Sequence, residues 1–122
     1  MKVDLHSHST CSDGLLSPAE LVERAVLRSV DMLALTDHDE LAGLAPARAA
    51  ATQWGLRLID GVEISVQWED TTLHIVGLNV NADHAPLVEG LAAIRSGREQ
   101  RAQRMADSLA AAGIASSLEG AR

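Results

Sequence analysis

Three short segments that predict strands, separated by two stretches with helical signals, constrain the fold of this chain more than any other feature. The predicted strands cover residues 2–5, 32–35 and 56–59, and the helical stretches cover residues 17–28 and 41–54. Strands and helices that alternate in this way are typical of a parallel sheet whose faces are covered by helices. The sequence therefore predicts an α/β fold, either a barrel or an open sheet.

The boundaries of the two helical stretches carry specific signals. Ser17, Pro18 and Glu20 combine a capping box with a proline at the first helical position, which predicts where the first helix begins. Gly55 predicts the end of the second helix.

The second half of the chain predicts a hairpin and then a long helix. Apolar and polar residues alternate from residue 62 to 66, a polar turn follows at 69–71, and residues 73–80 return as the second strand. Residues 85–112 predict one helix, which Gly113 would end.

Composition limits both the core and the partners of this chain. The 122 residues are 47% hydrophobic but include no Phe or Tyr, so the core must be aliphatic. The single cysteine, Cys11, excludes an internal disulfide, and we expect it to pack as a small side chain. A formal charge of −7 argues against duplex nucleic acid as a partner. With no signal-peptide stretch and no run of membrane-spanning length, we expect a cytoplasmic protein and no membrane partner.

Residues that can bind metals follow the predicted strands. His6 and His8 end the first strand, His38 follows the second, Glu63 follows the third, and His74 lies in the hairpin. The carboxyl ends of parallel strands share one rim, so these side chains are expected to converge. Glu63 suits a bridge between two cations. For His74, which alternates with apolar neighbours, a purely structural role remains an equal alternative.

Two acidic loops accompany these histidines. Asp13 offers a hard oxygen ligand, and Gly14 permits the turn that would bring it over the site. We expect Asp37 to orient a histidine through a hydrogen bond, and Asp39 to cap the second helix.

Four arginines at three-residue spacing crowd the long helix, at positions 95, 98, 101 and 104. A solvated face is the usual fate of such a run. The alternative is a phosphate clamp involving Arg98 and Arg101, since guanidinium groups bind phosphate oxygens in a bidentate manner.

Taken together, the ordered motifs resemble the PHP (polymerase and histidinol phosphatase) family. The motifs that carry this resemblance are residues 4–9 (DLHSHS), 12–14 (SDG), 36–39 (TDHD), 61–63 (GVE) and 74–77 (HIVG). The resemblance runs from residue 1 to about residue 113. It is strongest with the branch of nucleoside 3′,5′-bisphosphate phosphatases and 5′-to-3′ exoribonucleases, which the long helix with residues 97–102 also fits.

The resemblance implies a distorted (βα)7 TIM-like barrel with two to three divalent metal ions at its rim, manganese first, with zinc or iron as alternatives. His6, His8 and Glu63 would hold one ion and Glu63 with His74 a second. A third would be held by Asp13 and His38, which are also the implied catalytic residues. A small phosphorylated substrate, a nucleotide or a short RNA end, would contact the segment Arg98, Glu99, Gln100 and Arg101.

The resemblance also implies a partial barrel. A further metal histidine and a terminal Asp-x-His motif of the family are absent before Arg122, so we expect a truncated PHP domain that is inactive alone. Residues 1–83 would supply about half the barrel, and residues 84–122 the long helix and the start of a helical insertion. Residues 116–119 resemble a helix start. Two alternatives stay open: a PHP scaffold with a structural or vestigial metal site, and a histidinol-phosphate-type phosphatase.

Overall fold

A computed structural model describes residues 1–111 of the chain. The elements in order are β1 (Val3–Asp4), α1 (Pro18–Leu27), β2 (Met32–Leu35), α2 (Leu44–Trp54), β3 (Arg57–Trp68), β4 (Thr71–Leu78) and α3 (Ala85–Ala111). The expected stop at Gly113 and the expected helix start at 116–119 lie outside the described residues.

The four strands form one sheet in the order β1-β2-β3-β4. The first three strands run parallel to one another, and β4 pairs antiparallel with β3. This mixed α/β arrangement is compatible with part of a TIM-like barrel. The predicted third strand and the first hairpin strand are a single strand, β3. It pairs with β2 through its first residues and with β4 from Gly61 onward, so the two predicted segments are continuous.

The predicted cap of the first helix is confirmed. Ser17 accepts a hydrogen bond from the Glu20 N–H, the Glu20 carboxylate accepts one from the Ser17 N–H, and Pro18 opens the helix. Because these bonds satisfy backbone donors that the helix leaves unpaired, they fix where α1 begins.

The predicted cap of the second helix is wrong. This helix begins at Leu44 rather than near residue 41, and its N-cap is Gly43, which offers no side-chain hydrogen bond. Residues 41–43 instead form a turn in which the Leu44 N–H donates to the Leu41 carbonyl. Asp39 therefore does not cap α2.

The core is aliphatic, as expected. Every buried hydrophobic residue of the described chain is Ala, Val or Leu, whereas Trp54 and Trp68 are exposed. The main cluster joins α1, α2, β2 and the start of β3, and its buried members are Val22, Ala25, Leu33, Leu35, Leu44, Ala47, Ala50, Ala51 and Leu56. With α1 packed on β2 and α2 packed on β3, the carboxyl ends of the strands are left free to carry polar side chains. Across residues 1–111, no helix has the length and apolar character needed to cross a membrane.

Candidate metal centre

The site begins just after β2 ends, where residues 37–39 continue to hydrogen-bond with β3. The Glu63 N–H donates to the Asp37 carbonyl at 3.0 Å, and the Asp39 N–H donates to the Glu63 carbonyl at 2.9 Å. His38 and Glu63 thus become partners in an isolated parallel bridge. Bridge partners project to the same side of a sheet, and His38 Nδ1 lies 2.6 Å from Glu63 Oε2.

The first-strand histidines reach the same carboxylate from the neighbouring strand end. His6 Nε2 lies 2.7 Å from Glu63 Oε1, and His8 Nε2 lies 4.0 Å from Glu63 Oε2. The Nε2 atoms of the two histidines are 3.1 Å apart. The two-residue spacing of His6 and His8 therefore does place both imidazoles on one side of an extended segment.

Asp13 comes back over the site from the loop after β1. Its Oδ2 lies 3.2 Å from His38 Nε2, and its Oδ1 lies 3.7 Å from His8 Nδ1. The turn that returns it is closed by the Gly14 N–H, which donates to the Ser9 carbonyl at 2.9 Å. A side chain at position 14 would lie 2.1 Å from the His8 carbonyl oxygen, so this approach requires glycine.

His74 also faces this cluster. In the β3–β4 register it pairs with Ser65, two residues after Glu63 and therefore on the same face of the hairpin. Its ring contacts the His38 ring edge-on, with centroids 5.4 Å apart. The structure thus brings together the six residues for which the sequence predicts a metal role.

These side chains form three overlapping groups, in each of which the potential ligand atoms lie within 4.8 Å of one another: His6, His8 and Glu63; His8, Asp13 and His38; His38, Glu63 and His74. Imidazole nitrogens with carboxylate oxygens suit divalent ions such as zinc, iron and manganese. One further observation fits a cation here. His8 Nδ1 is buried without a hydrogen-bond partner, and a buried polar atom of this kind is costly unless something else binds it.

Asp37 supports the site differently from the prediction. The buried carboxylate accepts hydrogen bonds from the Ser9 N–H (2.6 Å), the Ser9 hydroxyl (2.7 Å) and the Ser12 hydroxyl (2.7 Å). Its three hydrogen bonds thus go to loop serines, because the carboxylate lies under the β1–α1 loop. Asp37 therefore fixes the loop that carries His8 and Asp13 instead of orienting a histidine ring.

A cavity of about 880 Å³ opens beside the cluster, between the hairpin and α3. Its walls include Asp13, His38 and His74 on one side and three arginines, Arg95, Arg98 and Arg101, on the other. Glu99 and Gln100, which the sequence grouped with these arginines, are not among the lining residues. Cys11 is exposed and lines the cavity, so the expectation that it packs inside is wrong.

Sequence reasoning missed the role of Asp39. Its buried carboxylate accepts hydrogen bonds from Ser65 and forms an ion pair with Arg98, whose Nη1 lies 3.1 Å from Asp39 Oδ2. Arg95 bonds the Asp39 carbonyl oxygen and pairs with Glu40. The only signal in the sequence was the coincidence of an acidic pair after β2 with a run of arginines on α3.

Comparison with known proteins gives close relatives of bacterial origin. The chain is 50% identical over 119 residues to a 3′,5′-nucleoside bisphosphate phosphatase from Chromobacterium violaceum, covering 98% of this chain and 42% of the relative. It is 51% identical over 121 residues to the 5′-3′ exoribonuclease Rnm of Escherichia coli, covering 98% of this chain and 41% of the relative. The chain thus spans about two fifths of the length of these relatives.

Solved structures agree on the fold. An amidohydrolase from Chromobacterium violaceum, solved with bound sulfate and no metal, matches with a TM-score of 0.88 at 50% identity, over 99% of this chain and 43% of that one. A protein from Bifidobacterium adolescentis described as a metal-dependent phosphoesterase matches with a TM-score of 0.83 at 32% identity, over 90% of this chain and 38% of that one. The family model of the PHP domain matches residues 4–113. The chain therefore belongs to the PHP domain family.

Proposed function

We propose that the protein containing this chain is a metal-dependent phosphoesterase. Its substrates would be phosphate monoesters of small nucleotides, such as nucleoside 3′,5′-bisphosphates, or short RNA 5′ ends. The observation that carries the proposal is the meeting of three overlapping groups of metal-binding side chains with an arginine-lined cavity. The relatives named as a bisphosphate phosphatase and as exoribonucleases point to the same class of substrate.

The proposed ligand assignment follows the three groups. His6, His8 and Glu63 would hold one divalent cation, Glu63 with His74 a second, and Asp13 with His38 a third. The donor set and the unpartnered His8 Nδ1 support it. Manganese is the proposed metal, because hard carboxylate oxygens accompany the imidazoles in every group. When bound, such cations acidify a water molecule and neutralise charge on the phosphoryl oxygens.

The protein's own residues would position the ester. Asp13 and His38, the proposed catalytic residues, border the cavity, so a phosphoryl group there would lie within reach of both. Arg98 and Arg101 lie three residues apart on α3 and line the opposite wall. A guanidinium fork there can bind a second phosphate of the substrate, which leaves the first at the metal site. Glu99 and Gln100 do not line the cavity and are not part of the proposed clamp.

Two measurements test the proposal on the intact protein. Elemental analysis should find two to three divalent cations per chain, and the manganese-loaded protein should release inorganic phosphate from adenosine 3′,5′-bisphosphate. Release from histidinol phosphate alone would assign the other phosphatase class. A protein without bound metal and without phosphate release on either ester would support the scaffold alternative and refute the proposal.

A further inference from the structure

Asp39 occupies an unusual backbone position immediately after His38. Its φ angle is +52°, in the left-handed region that aspartate tolerates better than most residues. Its side chain is fully buried although the residue lies next to the cavity wall formed by His38 and Glu40. A buried carboxylate is costly unless its oxygens accept hydrogen bonds, so the partners of Asp39 define what it does.

One set of partners ties Asp39 to the strands that carry the metal-binding residues. Asp39 Oδ1 accepts from the Ser65 N–H at 2.7 Å, and Oδ2 accepts from the Ser65 hydroxyl at 2.8 Å. The Asp39 N–H donates to the Glu63 carbonyl. Asp39 is therefore hydrogen-bonded to β3 at both Glu63 and Ser65. Ser65 is the residue that pairs with His74 across the hairpin.

The other partners lie on α3. Arg98 Nη1 is 3.1 Å from Asp39 Oδ2, and Arg95 Nη1 donates to the Asp39 carbonyl at 2.7 Å. Arg95 also pairs with Glu40 at 3.0 Å. Two arginines about one helical turn apart are thus attached to one residue, which aligns this side of α3 with the strand ends.

We propose that Asp39 is a positioning residue that holds the Arg98 guanidinium at the cavity wall and sets its distance from the metal centre. This inference rests on the proposed function and adds to it a determinant of substrate affinity. The Arg98 side chain is 44% exposed. Its Nη1 lies 3.1 Å from Asp39 Oδ2, and a guanidinium carries further N–H groups that can bind a phosphate oxygen. Without its buried anchor, an arginine on an exposed helix face samples many rotamers, and ordering it on binding lowers affinity.

The substitution Asp39→Asn isolates this link. The amide oxygen can still accept from the Ser65 N–H, and the amide group can donate to the Ser65 hydroxyl in place of accepting from it. Toward Arg98, however, the amide presents a donor to a donor and carries no charge. The anchor to β3 is therefore kept while the anchor of Arg98 is lost.

Titration calorimetry of the metal-free intact protein with adenosine 3′,5′-bisphosphate should show affinity weakened about tenfold by Asp39→Asn, a typical loss for a charged hydrogen bond. Arg98→Ala should weaken it at least as much, and adding Asp39→Asn to Arg98→Ala should have no further effect. Arg104→Ala is the matched control, because it removes an exposed arginine of α3 that does not line the cavity. In the manganese-loaded enzyme, Asp39→Asn should raise KM while metal content and kcat stay unchanged.

Additive losses of affinity in the double variant would overturn the inference. So would an Asp39→Asn protein with lower kcat and metal content but unchanged affinity, because Asp39 would then only support His38 and Glu63. If the unmodified protein binds the nucleotide and does not hydrolyse it, the proposed function fails while the positioning role is still decided by the binding data. If the metal-free protein does not bind the nucleotide and the manganese-loaded protein does not hydrolyse it, both the proposed function and the positioning role are overturned.

Discussion

Replacing Gly14 with alanine tests how closely the β1–α1 loop must approach the first strand. Gly14 follows Asp13, and its N–H closes the turn onto the Ser9 carbonyl. An added Cβ would lie 2.1 Å from the His8 carbonyl oxygen and 2.8 Å from the Ser9 nitrogen. Both neighbours are backbone atoms, so no side chain can rotate away to make room.

The size of the effect follows from this overlap. Ordinary contacts of a Cβ begin near 3.4 Å, so the loop must move by more than 1 Å at Gly14. Asp13 is the adjacent residue and His8 carries the obstructing carbonyl, so the displacement passes directly to two proposed metal ligands. A misplacement of about 1 Å at a reacting centre can lower turnover about 100-fold. We expect a loss of that order in kcat/KM on adenosine 3′,5′-bisphosphate, with the fold retained, because the loop lies outside the aliphatic core.

Gly90→Ala is the matched control. Gly90 lies in α3, is exposed, and has no atom within 4 Å of an added Cβ. Alanine there should leave kcat/KM unchanged and stabilise the helix by about 0.5–1 kcal/mol. Kinetics and metal content are measured for both variants, with circular dichroism to verify folding. A folded Gly14→Ala protein with normal metal content and activity would refute the argument that the close approach of this loop builds the site.

Three further predictions concern Glu63 and the cap of the first helix. Glu63→Gln should reduce the number of cations bound by the intact protein. It should also lower phosphatase activity by more than the roughly 10- to 100-fold typical of residues that only orient a ligand. Glu23→Gln, at an exposed position of α1, should change neither quantity, and unchanged metal content in Glu63→Gln would contradict the shared-ligand assignment. Ser17→Ala should lower the free energy of unfolding by about 1 kcal/mol in urea denaturation. The Ser17 side chain, followed by its backbone N–H, lowers the pKa of Glu20, so the contribution of Glu20 is present above its unfolded-state pKa and is lost as pH falls through the lowered value. The stability difference between the unmodified protein and Glu20→Gln should therefore shrink on acidification, and a difference that grows would contradict this sign.

Much of the candidate site could be predicted from sequence because parallel strands place their ends together. Once residues 32–35 and 56–59 are recognised as neighbouring strands, the polar residues just beyond them must share a rim, and the bridge between His38 and Glu63 realises that expectation. His74 could not be settled in the same way. An alternating strand has two faces, and only the pairing of His74 with Ser65 shows which face meets the cluster.

The interpretation of Asp39 failed for a different reason. An acidic residue shortly before a helix usually caps it, because its side chain can reach the first free N–H groups. Here the left-handed backbone at Asp39 turns the side chain toward β3 and α3, and its partners Ser65 and Arg98 are 26 and 59 residues further along the chain. Local propensity contains no information about contacts at such separations, so it cannot identify Ser65 and Arg98 as the partners of Asp39.

The arginines of α3 show that the two interpretations of a charged helix face, a solvated surface and a phosphate clamp, are compatible. A solvated face predicts exposed guanidinium groups, and a phosphate clamp predicts groups turned toward a cavity. Arg98 is half exposed, lines the cavity, and forms an ion pair with the buried carboxylate of Asp39. Since a guanidinium has five N–H donors in a rigid fork, Asp39 can bind one end without consuming the other. A lysine in its place would offer a single charged nitrogen to both partners, and an incoming phosphate would then have to compete with Asp39 for it. The fork geometry of arginine thus allows one side chain both to attach α3 to the strands that carry the proposed metal ligands and to remain available to an anionic substrate.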